Sequence, residues 1–337
     1  MGNLNVSAVH HQRPKGRPSI TAASSDQATA CRSHKSITLA TPICRLTALV
    51  VAFTLTATAV LAQVSQAASP MPVSAKRIST LDGTSSDAAR RDAIRSIPLE
   101  KMSTEDRKKV ASVLTNISLF RRMPVRVIDC DPDMYLFLVR HPDVVVNIWD
   151  VLKLSKLQLQ QVGENRFHVE EPAGAAATVQ FLYRSHDLHI VYGEGTYEGP
   201  ILSRPVKGRG LLILKTGYVR ETNDRYYVTS RLDALLSVEP VGADILTKTV
   251  SPLVGKTVDN NFVQTLAFLA SLSRTAETNS RTVERLTTQL GHVQPEVRSQ
   301  FTALVSQVAK KTVRDRDDDQ RAAVARRLTD TANTDRQ

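Results

Sequence analysis

Two periodicities divide the chain. Val110, Val113, Leu114 and Ile117 recur at spacings of three, one and three, which predicts an amphipathic helix. Ser103 stands ahead of it as a cap, with Asp106 three residues on as capping-box partner. Asp87 to Ile97 predicts a shorter helix closed by Pro98. Val125 to Ile128 reads as a strand. Pro132 then opens a helix with Tyr135, Leu136, Leu138 and Val139 on its apolar face, and Pro142 opens another that ends near Leu152 and carries Trp149.

The period then becomes two. Leu157/Leu159, Phe167/Val169, Val179/Phe181/Tyr183 and Leu188/Ile190/Tyr192 predict four successive strands. Their short connections at 163–165, 172–174 and 185–187 imply antiparallel neighbours. A longer loop, Gly193 to Gly210, holds Pro200 and Pro205. Two long strands follow, Leu211–Arg220 and Arg225–Val238. On the last, Val228, Leu232, Ala234, Leu236 and Val238 share a face broken only by Ser230, while Thr229, Arg231, Asp233 and Ser237 line the other. One side is therefore expected to be buried and the other wet. From about Ala243 to Thr275, apolar residues including Leu246, Val250, Val254, Val258, Phe262, Leu266 and Leu269 step by four or three and predict a long helix. Pro252 and Gly255 predict a kink near its start.

The order is strand, two short helices, six antiparallel strands and a long helix, an α+β class. With the local run VIDCDPDMYLFLVRHPD, Val127 to Asp143, and the nearby Trp149, this order resembles the START-like, or SRPBCC, helix-grip superfamily over about residues 123–275. The resemblance implies a curved antiparallel sheet of about seven strands wrapped around the C-terminal helix, with extra helices at both ends. It also implies a cavity between sheet and helix for a lipid or other hydrophobic small molecule. The candidate lining residues are Phe181, Tyr183, Ile190, Tyr192, Leu212, Leu214, Tyr218, Val228, Leu232 and Leu236, with Phe262 and Leu266 from the helix. Tyrosine hydroxyls would orient a polar head. The 193–210 loop, tipped by Ile201 and Leu202, would be the entrance lid. No cofactor is implied. Two alternatives stay open: a cyclase- or hydrolase-like enzyme on the same fold, and a non-catalytic envelope or structural protein with a filled core.

Charge changes the picture at the N-terminus. The chain of 337 residues carries 44 Lys+Arg against 33 Asp+Glu, a formal +11. Six of those basic residues and a single acid, Asp26, fall within the first 45 positions, and no charge follows from Leu46 to Ala75. A basic start, the run LTALVVAFTLTATAVLA and a small-residue exit predict a secretory signal peptide over residues 1–68, or an N-terminal membrane anchor. The protein is thus expected to be exported, to the periplasm or beyond. Residues 69–85 read as a linker, 86–122 as a helical lead-in and 276–337 as a polar helical or partly disordered tail. Mixed signs and a lack of aromatics among the tail's charges argue against nucleic acid and for a solvated tail, with a partner helix or an anionic membrane surface as the alternatives.

Catalytic signals are sparse. His186 and His189 have metal-pair spacing, but positions i and i+3 on a strand face opposite ways, and the pair lies next to the 185–187 turn, which favours solvated surface histidines. Asp129, Asp131 and Asp133 imitate the start of a calcium loop without its glycine or distal glutamate, so helix capping is expected instead. Cys130 reads as a small buried hydrophobe, and Glu194 and Glu198 beside Tyr197 as solvated loop carboxylates.

Overall fold

The computed structural model describes residues 82–172, 174–198, 205–222, 225–239 and 251–334, with the helical residues 251–254, 315–316, 318–319 and 322–334 described by backbone alone. The leader, nearly all of the linker, the 243–250 part of the expected long helix and the Ile201–Leu202 loop tip lie outside the described residues. Among the described residues no helix is long and apolar enough to cross a membrane.

The architecture is α+β: seven helices and an eight-stranded antiparallel open sheet among the described residues. Two helices come first, α1 (Asp87–Arg95) and α2 (Thr104–Leu114). Strands β1 (Leu119–Arg122) and β2 (Arg126–Asp129) follow, then α3 (Pro132–Arg140) and α4 (Pro142–Val151). The meander runs β3 (Gln158–Gly163), β4 (Arg166–Glu171), β5 (Ala175–Arg184), β6 (Leu188–Tyr197), β7 (Val206–Arg220) and β8 (Tyr226–Val238). The chain then forms α5 (Ser251–Thr278), α6 (Ser280–Thr287) and α7 (Pro295–Thr334).

Local signals explain most helix boundaries. Ser103 caps α2, accepting from the Asp106 amide while its hydroxyl donates to the Asp106 carboxylate at 2.7 Å. Asp131 caps α3, accepting from the amides of Asp133 and Met134 at 3.0 and 3.1 Å, with Pro132 in the first turn. Pro252 and Gly255 lie at the start of the described part of α5, and the stretch before them, where the expected kink would be judged, is outside the described residues.

The sheet runs β1-β8-β7-β6-β5-β4-β3, and β2 also pairs with β8. β1 and β2 thus cover successive halves of one edge of β8, opposite Asp233–Leu236 and Tyr227–Ser230. Residues 119–122, placed in a helical lead-in by the sequence, are therefore a strand. Most of the presumed 193–210 loop is also strand: Gly193 pairs with Gly210 and Gly195 with Gly208. A Cβ at Gly195 would collide with the Ala176 carbonyl and with Ala177, so β5 and β6 need a bare backbone there.

Both faces of the central strands are covered, which corrects the expected wet face of β8. One core joins β3–β8 to α3, α4, α5, α6 and α7. A second, on the opposite face, packs Leu182, Ile190, Tyr192, Leu211, Ile213 and Leu235 under α1 and α2 through Ala89, Ala93, Val110 and Val113. Asp233 is wholly buried on this second face, gripped by the Arg122 guanidinium at 2.5 and 3.0 Å. Arg121 on β1 holds Asp259 on α5 through two hydrogen bonds.

The tail is built into the domain rather than solvated as its polarity suggested. Val283, Leu290, Phe301, Val305 and Val308 are all buried, and Phe301 stacks on Phe137 of α3 with ring centroids 5.5 Å apart. Farther along α7, the Lys311 ammonium lies 2.8 Å from the Asp131 carboxylate and 4.6 Å from the Tyr226 ring centroid. Replacing Lys311 by methionine should cost about 1–3 kcal/mol, because the nearly buried Asp131 carboxylate would lose its ionic partner. Urea unfolding measures this, and a loss near zero would mean that α7 is not docked there in solution.

Candidate functional site

Between the sheet and helices α3, α4 and α5 lies a cavity of about 220 Å³. Its wall is almost entirely hydrocarbon. Leu138, Val145, Val146 and Trp149 come from the helix pair, Val169, Val179 and Val191 from the sheet, and Leu269 from α5. Trp149 is held in place by Phe268, ring centroid 5.6 Å away. The volume exceeds the roughly 150 Å³ of an apolar void known to admit benzene, and is below the roughly 300 Å³ where drug-sized pockets begin.

Six of the twelve candidate residues line this cavity: Phe181, Leu212, Leu214, Leu232, Phe262 and Leu266. Tyr218, Val228 and Leu236 join the same core but are not part of the cavity wall; Tyr218 sits edge-on to Tyr135 at 6.4 Å. Tyr183, Ile190 and Tyr192 lie on the other face of the sheet, under α1 and α2. For Tyr183 the cause is a β-bulge. Phe181 pairs with Val191 and Tyr183 with Ile190, so Leu182 is an extra residue and the i, i+2 rule fails across it. On β6 the parity that meets the cavity is the opposite of the expected one. His189 and Val191 face the cavity, and both sets of alternating residues are apolar enough to be buried.

Four polar side chains reach the wall besides the hydrocarbon. The Tyr135 and Ser230 hydroxyls bond to each other at 2.9 Å, and the Thr265 hydroxyl donates to the Asn261 carbonyl at 2.8 Å. His189 is different. It is 1% exposed, edge-on to Phe181 at 6.3 Å, and neither ring nitrogen has a hydrogen-bond partner. This corrects the expectation of a surface histidine, which came from its closeness to the 185–187 turn. Burial, then the neighbouring Arg140 and Arg184, pull its pKa down to about 4, so the ring is neutral. The same causes, with Arg184 ahead of Arg140, bring His141 to about 4.

Other candidate groups are occupied elsewhere. Burial pushes the Cys130 thiol up to about 12, only partly offset by Ser273, which keeps it a thiol and a poor nucleophile. Asp129 pairs with Arg225 at 2.7 Å, Asp131 with Lys311, and Glu194 accepts from the Tyr192 hydroxyl at 2.9 Å. Among the described residues no group of three or more His, Cys, Asp or Glu side chains is placed to hold a metal ion.

No protein-family model and no curated protein matches the sequence. Among solved structures, the chain is similar to a hypothetical protein from Helicobacter pylori, at 16% identity over 44% of this chain and 84% of that one, with a TM-score of 0.29. A conserved protein from Geobacillus kaustophilus is 12% identical over 44% of this chain and 93% of its own, also with a TM-score of 0.29. A di-domain ARO/CYC protein from the steffimycin biosynthetic pathway is 14% identical over 57% and 61%, with a TM-score of 0.28.

Proposed function

We propose that the protein binds or carries one compact hydrophobic molecule in the cavity between sheet and α5, and that its basic, apolar N-terminal segment directs it out of the cytoplasm. The sheet and α5 would then form the grip of a helix-grip fold. The observation that carries the binding reading is the cavity itself, about 220 Å³ of almost continuous hydrocarbon wall. Filling such a space with an apolar molecule removes surface from water at about 25 cal/mol per Å², and the cavity exists without any rearrangement of the core.

The test is native mass spectrometry of the full chain after exposure to a total lipid extract. We expect one hydrophobic adduct per chain, released by collisional activation. Leu212→Trp, which places a larger ring in the cavity at an overpacking cost of about 1–3 kcal/mol, should abolish the adduct while leaving a folded protein. A wild-type chain that takes up nothing would overturn the carrier reading and favour a filled core.

A further inference from the structure

One end of the cavity is chemically unlike the rest. His189 on β6 pairs across the sheet with Arg184 on β5, so the two side chains share a face at the β5–β6 hairpin. The exposed Arg184 lies over the Phe181 ring, its guanidinium carbon 5.3 Å from the centroid, and Phe181 is itself cavity wall. Arg140, the last residue of α3, reaches the same hairpin and donates to the Ser185 carbonyl at 3.3 Å, while its buried Nε has no partner. Asp187 and Glu164 are the carboxylates facing this region, yet neither forms an ion pair with either arginine among the described residues. Asp187 instead accepts from the Ser185 hydroxyl at 2.7 Å, and exposed His186 lies against the Tyr218 ring at 4.3 Å.

We propose that this end of the cavity binds the carboxylate of a compact aliphatic acid, with the head group at His189, Arg184 and Arg140 supplying the opposing charge, and the hydrocarbon part among the leucines and valines. The inference rests on the ligand-binding reading above and names the ligand class. Two independent observations support it. First, a buried imidazole with both nitrogens unpaired leaves a donor and an acceptor unsatisfied, at about 1–3 kcal/mol each. A ligand oxygen reaching the wall would remove that cost. Second, two guanidinium groups close enough to act on the histidine electrostatically have no carboxylate ion-pair partner among the described residues. A cationic head would meet like charge there and an alcohol would use only the histidine, whereas a carboxylate would bond the histidine and also gain from the field of the two neighbouring guanidinium groups. The other polar groups on the wall, the Tyr135, Ser230 and Thr265 hydroxyls, already have hydrogen-bond partners within the protein and carry no charge.

The experiment is isothermal titration calorimetry of the full chain with decanoate, decanol and decyltrimethylammonium at neutral pH. These probes share one tail and differ in head charge. Decanoate should bind at least about tenfold more tightly than decanol, with the ammonium weakest. Arg184→Gln, an exposed substitution, should reduce the decanoate preference to about threefold or less while leaving decanol affinity nearly unchanged. Equal affinity for decanoate and decanol, or a preference for the ammonium, would overturn the carboxylate assignment and leave the cavity reading standing. A preference unchanged in both Arg184→Gln and Arg140→Gln would overturn the role given to the arginines. If none of the three probes binds, both the assignment and the carrier reading fall. The probe series on the unaltered protein needs no variant to fold.

Discussion

Replacing Arg122 by alanine should destabilise the protein by about 3–5 kcal/mol, among the largest effects open to a single substitution here. The guanidinium holds Asp233, which has no solvent exposure, through two hydrogen bonds, and reaches Asp92 on α1 at 2.7 Å. Removing it strands a buried carboxylate whose other cation, Arg231, is 3.7 Å away. It also loosens α1, since Arg122 donates to the Ala89 carbonyl as well. Converting both partners to apolar residues tests the cause. Arg122→Met with Asp233→Leu should recover at least about half of the loss, because a buried pair often does little better than a hydrophobic replacement. Urea unfolding followed by fluorescence of the buried Trp149 measures both. A single-variant loss below about 1 kcal/mol would mean that water reaches Asp233.

Acidification should remove about 3 kcal/mol of stability between pH 6.5 and pH 4 through His189 alone. The unfolded histidine takes up a proton near 6.5, while the folded one resists it until about 4. The unfolded state therefore binds more protons throughout that window. Stability is complete above it, falls as pH drops through it, and stops changing on this account below it. His141 adds a loss in the same direction. The groups facing His189 are Arg140 from α3, Arg184 from β5, and Asp187 and His186 in the hairpin. Asp92, bonded to Arg122, and Asp187, bonded to the Ser185 hydroxyl, are both held below the ordinary aspartate range, so their own losses begin only in stronger acid. Stability measured by urea at a series of pH values should show the decline, and His189→Leu should make it shallower by about 3 kcal/mol, leaving the part that His141 contributes. A wild-type profile level from pH 7 to pH 4.5 would refute the buried, neutral ring.

The sequence and the structure agree where one physical signal dominates. The existence of the long strands β7 and β8, the cap at Ser103, the Pro132 start of α3 and the Val258, Phe262, Leu266 stripe of α5 were all readable. Each follows from local geometry or from one continuous apolar pattern. Disagreement arose where two signals overlap. Ile190 and Tyr192 look like a core face, yet so do His189 and Val191, because β6 is covered on both sides. Pattern alone could not say which set meets the cavity. The bulge at Leu182 has no composition signature, and it turns Tyr183 away from Phe181. The mostly polar composition of α7 concealed Phe301, Val305 and Val308, since a narrow apolar stripe is enough to dock a helix against α3. Of the cavity wall, the helix-pair residues Tyr135, Leu138, Val139 and Trp149 were visible as an apolar face, but nothing local assigned them to the space shared with β3–β8.

Docking α7 against α3 also has a consequence in time. Lys311 meets Asp131 from 180 positions away in the chain. A ribosome adding about 5–20 residues per second needs about 4–15 s to proceed from the end of β8 at Val238 to Lys311. During that interval all eight strands exist, yet Phe137 and the neighbouring flank of α5 have nothing to cover them. The nascent chain is then most prone to pair wrongly with other chains, and a transcript truncated between α6 and α7 would leave it in that condition permanently.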